Sequence, residues 1–172
     1  MMDIRDFIQR LQRERRRCFI IHGNPMTGKS RFAHRMCDHL GAVYINLLDE
    51  FATDAVLKAH IDTFTPERLK GYLIAHPACG QLAVVDDMDF LWLTWPERDR
   101  RKFLNIVDRL SRELHPDSTP DRFLHTFFVF FLQSDYLVRT AHILDQDGRS
   151  RVVSLSELYD LPSRMKPSCQ RS

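Results

Sequence analysis

Apolar residues along this chain recur in two rhythms. Near the start, Ile4, Phe7, Ile8 and Leu11 fall three and four positions apart among charged neighbours, which predicts an amphipathic helix within residues 3–16. "CFIIHG" is an apolar run too short for a helix and predicts a buried strand. "KSRFAHRMCDHLG" returns to helical spacing and stops at Gly41, a C-cap residue. "AVYINLL" predicts a second strand. The stretch from "DEFATD" to "LIAHP" predicts one or two helices broken near Thr65 and Pro66.

"QLAVVDDMDF" predicts a third strand ending in acids. "TWPERDRRKFLNIVDRLSRELHP" predicts a helix opened by Thr94 and Glu97 as a capping box, with Pro96 in its first turn. Phe103, Val107, Leu110 and Leu114 mark its buried stripe. "HTFFVFFLQSD" predicts a fourth strand, apolar on both faces, and "RSRVVSL" a fifth after the turn at Asp147 and Gly148. Strands that alternate with helices and are apolar throughout imply a parallel sheet covered on both faces, an α/β fold. The expected organisation is an N-terminal helix over 1–16, one core over 17–161, and a polar, disordered tail over 162–172.

The first strand runs into a Gly-x4-Gly-Lys-Ser turn and then a helix. Glycines let the backbone curl so that successive N–H groups point inward, at the positive end of a helix dipole, where phosphate oxygens are held. Gly23, Asn24, Pro25, Met26, Thr27, Gly28, Lys29, Ser30 and Arg31 are the candidate nucleotide-binding residues. Lys29 is placed to bridge the terminal phosphates and Ser30 to ligate Mg²⁺. His22 and Thr27 are expected to shape the loop. "LAVVDD" supplies a second acidic element. There Asp86 is the candidate second metal residue and Asp87 the carboxylate that orients attacking water, while Asp89 is expected to be a turn or cap residue.

On these residues the chain resembles the phosphate-loop NTPases with an additional catalytic acid, the AAA+ and signal-transduction ATPase group. "GNPMTGKS" resembles the Walker A motif and "LAVVDD" the Walker B motif. The resemblance implies a three-layer α/β/α fold with a mainly parallel five-stranded sheet of order 5-1-4-3-2. It also implies that Gln133 or Ser134, at the fourth strand's end, acts as a polar sensor. Asp87 stands where glutamate is commoner and reaches less far, which implies slow hydrolysis. About twenty residues follow the fifth strand, too few for the helical lid of that group. Small size, a short N-terminal helix and a lidless core are most similar to the small P-loop protein family of type 3 bacteriophage-exclusion (BREX) systems. That implies antiviral defence and partners among the other components of such a system.

Composition adds bounds. The chain has 172 residues, 44% hydrophobic and 28% charged, enough for one core, and its net charge of +2 is too small to imply nucleic acid by itself. Cys18, Cys37, Cys79 and Cys169 have no metal or redox spacing, so free thiols and a reducing cytoplasm are expected. No apolar run predicts a signal core or a membrane span. Basic residues clump in "RERRR" (13–17) and "ERDRRK" (97–102). Each run is a solvated helix face, a phosphate contact for DNA or RNA, or a source of an arginine reaching a neighbour's nucleotide. Arg109, Arg112 and Arg122 precede the fourth strand, where the AAA+ group places such an arginine; Arg149 and Arg151 border the fifth. "FLWLTW" is expected in the core, or as an apolar loop at the site's rim.

The expected function is therefore an ATP- and Mg²⁺-binding ATPase, slow or switch-like, completed by oligomerisation or a partner. The alternatives are a small-molecule kinase using the same loop, and a non-catalytic nucleotide-gated adaptor or helicase-loader-like DNA binder.

Overall fold

The computed structural model describes residues 1–76, 81–113 and 124–158. Its five strands are β1 (Cys18–Gly23), β2 (Val43–Asn46), β3 (Leu82–Asp86), β4 (Phe127–Gln133) and β5 (Val152–Ser154). They form one sheet of order β2-β3-β4-β1-β5, every pairing parallel. That is the expected order.

Among the described residues eight α-helices connect and cover the strands: α1 (Ile4–Gln12), α2 (Lys29–Leu40), α3 (Leu47–Thr53), α4 (Ala55–Ala59), α5 (Pro66–Ile74), α6 (Asp89–Thr94), α7 (Glu97–Arg109) and α8 (Tyr136–Arg139). Strand residues alternate between two separate cores, as the pleat requires. Phe19 and Ile21 of β1 and Phe127, Val129 and Phe131 of β4 pack under α1 and α2. Cys18, Ile20, Phe128, Phe130 and Leu132 face α3, α5, α6 and α7. The stripe Ile4, Phe7, Ile8 and Leu11 is buried as expected, and Phe7 meets Phe19 edge to face at 5.1 Å.

Local chemistry moves several boundaries. β2 stops at Asn46 because the Asn46 side chain accepts from the Asp49 amide and starts α3, so Leu47 and Leu48 are helical. Asp54 ends α3 and caps α4 through the Val56 and Leu57 amides, a break additional to the expected one. The break at Thr65 and Pro66 is present, with Thr65 as N-cap and Pro66 in the first turn of α5.

The expected capping box at Thr94 does not form. "DFLWLT" folds as α6, where the Thr94 hydroxyl donates to the Phe90 carbonyl at 2.7 Å, and Pro96 precedes α7 without a side-chain cap. Glu97 instead pairs with Arg101. Helix α7 ends at Arg109, with Phe103, Val107 and Leu110 buried; Leu114, Arg122, Cys79, Cys169 and the polar tail lie outside the described residues. The tryptophans of "FLWLTW" are core: Trp92 and Trp95 pack on Phe103, and their indole N–H groups donate to Asp135 and to the Phe64 carbonyl.

Free Cys18 is fully buried, which pushes its thiol up to about 12, and half-buried Cys37 is raised to about 11 for the same reason. Among the described residues no helix is long and apolar enough to cross a membrane.

Arg151 holds the β5 edge. It is fully buried, and its guanidinium donates to the carbonyls of Leu144, Cys18, Val107 and Asp108 and to the Asp108 carboxylate at 2.7–3.2 Å. Of the two arginines bordering β5, this one is structural. Arg151→Met keeps the volume but strands those acceptors, so a loss of about 3–5 kcal/mol is expected from urea unfolding.

Candidate functional site

In a parallel sheet the connections that leave the strands' C-terminal ends share one edge. Here that edge gathers residues 24–28 after β1, Asp87 to Asp89 after β3, and Ser134 after β4. The register is close: Gly23 pairs with Gln133, the Ser134 amide donates to the Gly23 carbonyl at 3.0 Å, and Asp86 lies beside Asn46.

Two glycines shape the first loop for different reasons. A Cβ on Gly23 would sit 2.8 Å from the Thr27 hydroxyl oxygen and 3.3 Å from Cγ of Lys29, so packing demands glycine there. Gly28 has open space around it but φ of +85°, so conformation demands it. Gly28 also serves as the N-cap of α2 with no side-chain bond, which leaves the first-turn amides without a side-chain acceptor. Thr27 steadies the loop by donating from its hydroxyl to the Asn24 carbonyl at 2.7 Å. Met26 is fully exposed at the tip with φ of +61°.

Lys29 folds back over the loop. Its ammonium donates to the Gly23 carbonyl at 3.3 Å and stands 3.9 Å from Asp89 Oδ2. Asp89, expected to be only a turn or cap residue, is the first residue of α6, and its Oδ1 accepts from the Gln133 amide at 2.7 Å. One carboxylate thus joins the start of α6, the end of β4 and the lysine. Burial raises its pKa, opposed by the Gln133 amide and by Lys29.

The paired acids are both anchored from β2. Asp86 is buried, and the Tyr44 hydroxyl donates to it at 2.9 Å. Burial first, and that bond second, raise the Tyr44 phenol, which stays a donor. Asp87 takes φ of +52°, and Nδ2 of Asn46 donates to its carboxylate at 2.7 Å. Tyr44, Asn46 and Asp89 are the residues that motif reading misses. Asn46 carries a faint signal, an Asn three positions before Asp49 as in a helix start; Tyr44 carries none.

A cavity of about 360 Å³ opens on the other side of the loop, toward β5. Gly23, Asn24, Thr27, Gly28, Arg31 and Phe32 form one wall; Ser134, Ser154, Leu155, Ser156 and Leu158 form the other. Of the sensor candidates, Ser134 lines the cavity and bonds Nδ1 of His22 at 2.8 Å, whereas Gln133 contributes its amide to Asp89. Pro25 and Met26 project into solvent. Ser30 is the second residue of α2, and a hydroxyl and a carboxylate, as Ser30 and Asp86 carry, are the hard oxygen donors that suit Mg²⁺. Among the described residues no cluster of three or more His, Cys, Asp or Glu could hold a metal alone.

The arginines proposed to reach a neighbour are elsewhere. Arg109 ends α7, and the next residue, Leu110, bonds the chain just before β1, so Arg109 and Arg112 are exposed at the sheet's opposite edge. Arg149 is exposed, with its amide on Asp145. Fold and site together define a parallel α/β protein with a glycine loop between β1 and α2. No family model and no curated protein matches the chain.

Two predictions test this network. Asp89→Asn keeps the acceptor for the Gln133 amide and should leave the melting temperature level or higher, because it removes a partly buried charge; Asp89→Ala should cost about 1–3 kcal/mol in urea unfolding. Burial lowers the His22 pKa below 6.5, so below that pH the unfolded chain binds a proton that the folded chain refuses. His22 therefore contributes stability above pH 6.5 that is lost on acidification, and melts from neutral pH downward should fall more steeply for the wild type than for His22→Gln.

Proposed function

We propose that the chain binds ATP with Mg²⁺ and turns it over slowly or switches on it. The observation that carries this reading is the join of β1 to α2, a close-packed glycine loop whose helix lacks a side-chain cap and whose lysine folds over the loop. Such a join presents backbone amides and a helix dipole to anionic oxygens. On this reading Lys29 exchanges the Gly23 carbonyl and Asp89 for terminal phosphates. Ser30 and Asp86 would hold Mg²⁺, which would offset phosphate charge, and the cavity toward β5 would receive the remainder of the nucleotide.

One specific observation favours the switch over a fast hydrolase. Asp87, the candidate for orienting water, is engaged by Asn46. A carboxylate held this way polarises water poorly until the bond opens. A charge supplied by another copy or a partner would then complete the site, since Arg109 and Arg112 stand at the far edge. The wider role, a component of an antiviral bacteriophage-exclusion assembly, is supported by the overall resemblance in size, short N-terminal helix and core.

Calorimetry with ATP–Mg²⁺ should give saturable heat that Lys29→Ala abolishes; no heat from folded protein, alone or concentrated, overturns the reading. Asn46→Ser keeps a cap for α3 but removes the amide donor. It should raise phosphate release severalfold, and Asp87→Asn should abolish that release.

A further inference from the structure

The two arginine runs of the sequence meet different fates. In the run at 97–102, Arg101 pairs with Glu97, Arg98 with Asp99, and Lys102 with Asp99 and Glu67. Arg100 donates to the carbonyls of Trp95 and Leu93 and lies over the Trp92 ring. That run is consumed locally.

The run at 13–17 is instead joined to a second basic segment almost a hundred residues away. The Arg17 amide donates to the Leu110 carbonyl at 2.9 Å, and the Arg112 amide to the Arg15 carbonyl at 2.7 Å. Arg16 faces Ser111 in an antiparallel bridge, and its guanidinium donates to the Arg109 carbonyl at 2.6 Å. This short ribbon lies where β1 begins. Lys70 of α5 shares with Arg109 a hollow of about 250 Å³ beside it.

Arg13, Arg15, Arg16, Lys70, Arg109 and Arg112 are all exposed there. Glu113 neutralises Arg15, and Glu14 is turned inward and 3% exposed. Among the described residues no ion pair engages Arg13, Arg16, Lys70 or Arg109. Near the ribbon Asp108 is engaged by Arg151 and Asp145 by Arg10, and further carboxylates follow the strands at the other edge: Asp49 and Glu50 after β2, Asp87 and Asp89 after β3, Asp135 after β4. A chain of net charge only +2 thus carries a local cluster of exposed cations at this end. Crowded cations repel one another and destabilise the folded chain until an anion neutralises them.

The geometry points to a binding surface for the phosphodiester backbone of double-helical nucleic acid. Guanidinium groups match phosphate oxygens in charge and fork geometry. Binders of single strands use exposed aromatic platforms, and the ribbon has none. Stable attachment to a membrane surface takes apolar insertion besides charge, and interfaces between protein copies an apolar centre. Among the described residues the exposed large apolar side chains, Met1, Met26, Leu48, Val56, Leu93, Tyr136 and Leu144, lie outside the ribbon. The six residues of β1 separate this surface from the glycine loop by about 20 Å, so it stands or falls independently of nucleotide binding.

Fluorescence anisotropy of a labelled DNA duplex of about 20 base pairs, titrated with the full chain, tests the inference. With about four phosphates engaged, affinity should fall about a hundredfold between about 50 and about 200 mM salt. Arg13→Gln combined with Arg109→Gln should weaken binding at least about tenfold at low salt and lower the salt slope by about two, with unchanged circular dichroism. Arg13→Gln with Lys70→Gln, which leaves α7 intact, should act in the same direction and guards against misfolding. Absence of duplex binding at low salt overturns the inference, as does wild-type affinity in both double variants. Binding to phosphatidylserine vesicles but not to duplex, or self-association lost in the variants without any duplex binding, overturns it in favour of a membrane or a second copy.

Discussion

Parallel pairing of β1 with β4 is the constraint on which the rest of this molecule depends. Six consecutive residues are in register, from Cys18 opposite Phe128 to Gly23 opposite Gln133. Because β4 also pairs with β3, the glycine loop and the acidic strand end are held on either side of one strand, although neither is near the other in sequence. Both faces of β4 are buried, and its phenylalanines supply each core in alternation. Slipping this register by one residue would exchange the faces and break both cores at once.

The polar groups at the strand ends are second in the chain of causes. Three carboxylates, Asp86, Asp87 and Asp89, emerge within four positions, and each is met by a donor from a different place: Tyr44, Asn46, and the Gln133 amide with Lys29. Like charges this close would repel in water. Here each is offset by a hydrogen bond that the sheet order makes available, and the bonds in turn hold the ends of β2, β3 and β4 level. Asn46 serves twice, capping α3 with its oxygen and engaging Asp87 with its nitrogen.

Arg151 plays the corresponding part at the other end. Its guanidinium binds the last turn of α7 to the first residue of β1. It thereby fixes the place where residues 109–112 run beside residues 15–17.

Most elements were legible in the amino-acid sequence because their signals are local. The stripe Ile4, Phe7, Ile8 and Leu11, the apolar runs of β1, β3 and β4, and the loop between Gly23 and Ser30 depend on spacing within a few residues. Their order in the sheet followed from the resemblance those motifs carry. The expected capping box at Thr94 failed because "DFLWLT" buries Leu91 and Trp92 as a separate short helix, and such burial outweighs a cap. The opposite fates of the two arginine runs, the grip of Asn46 on Asp87, and the bridge that Asp89 makes from Lys29 to Gln133 were not legible. A sequence specifies which groups exist and how each segment tends to fold. Which donor meets which acceptor across forty to a hundred residues is decided only when the strands are laid side by side, because hydrogen bonds and charges act over a few ångströms of space.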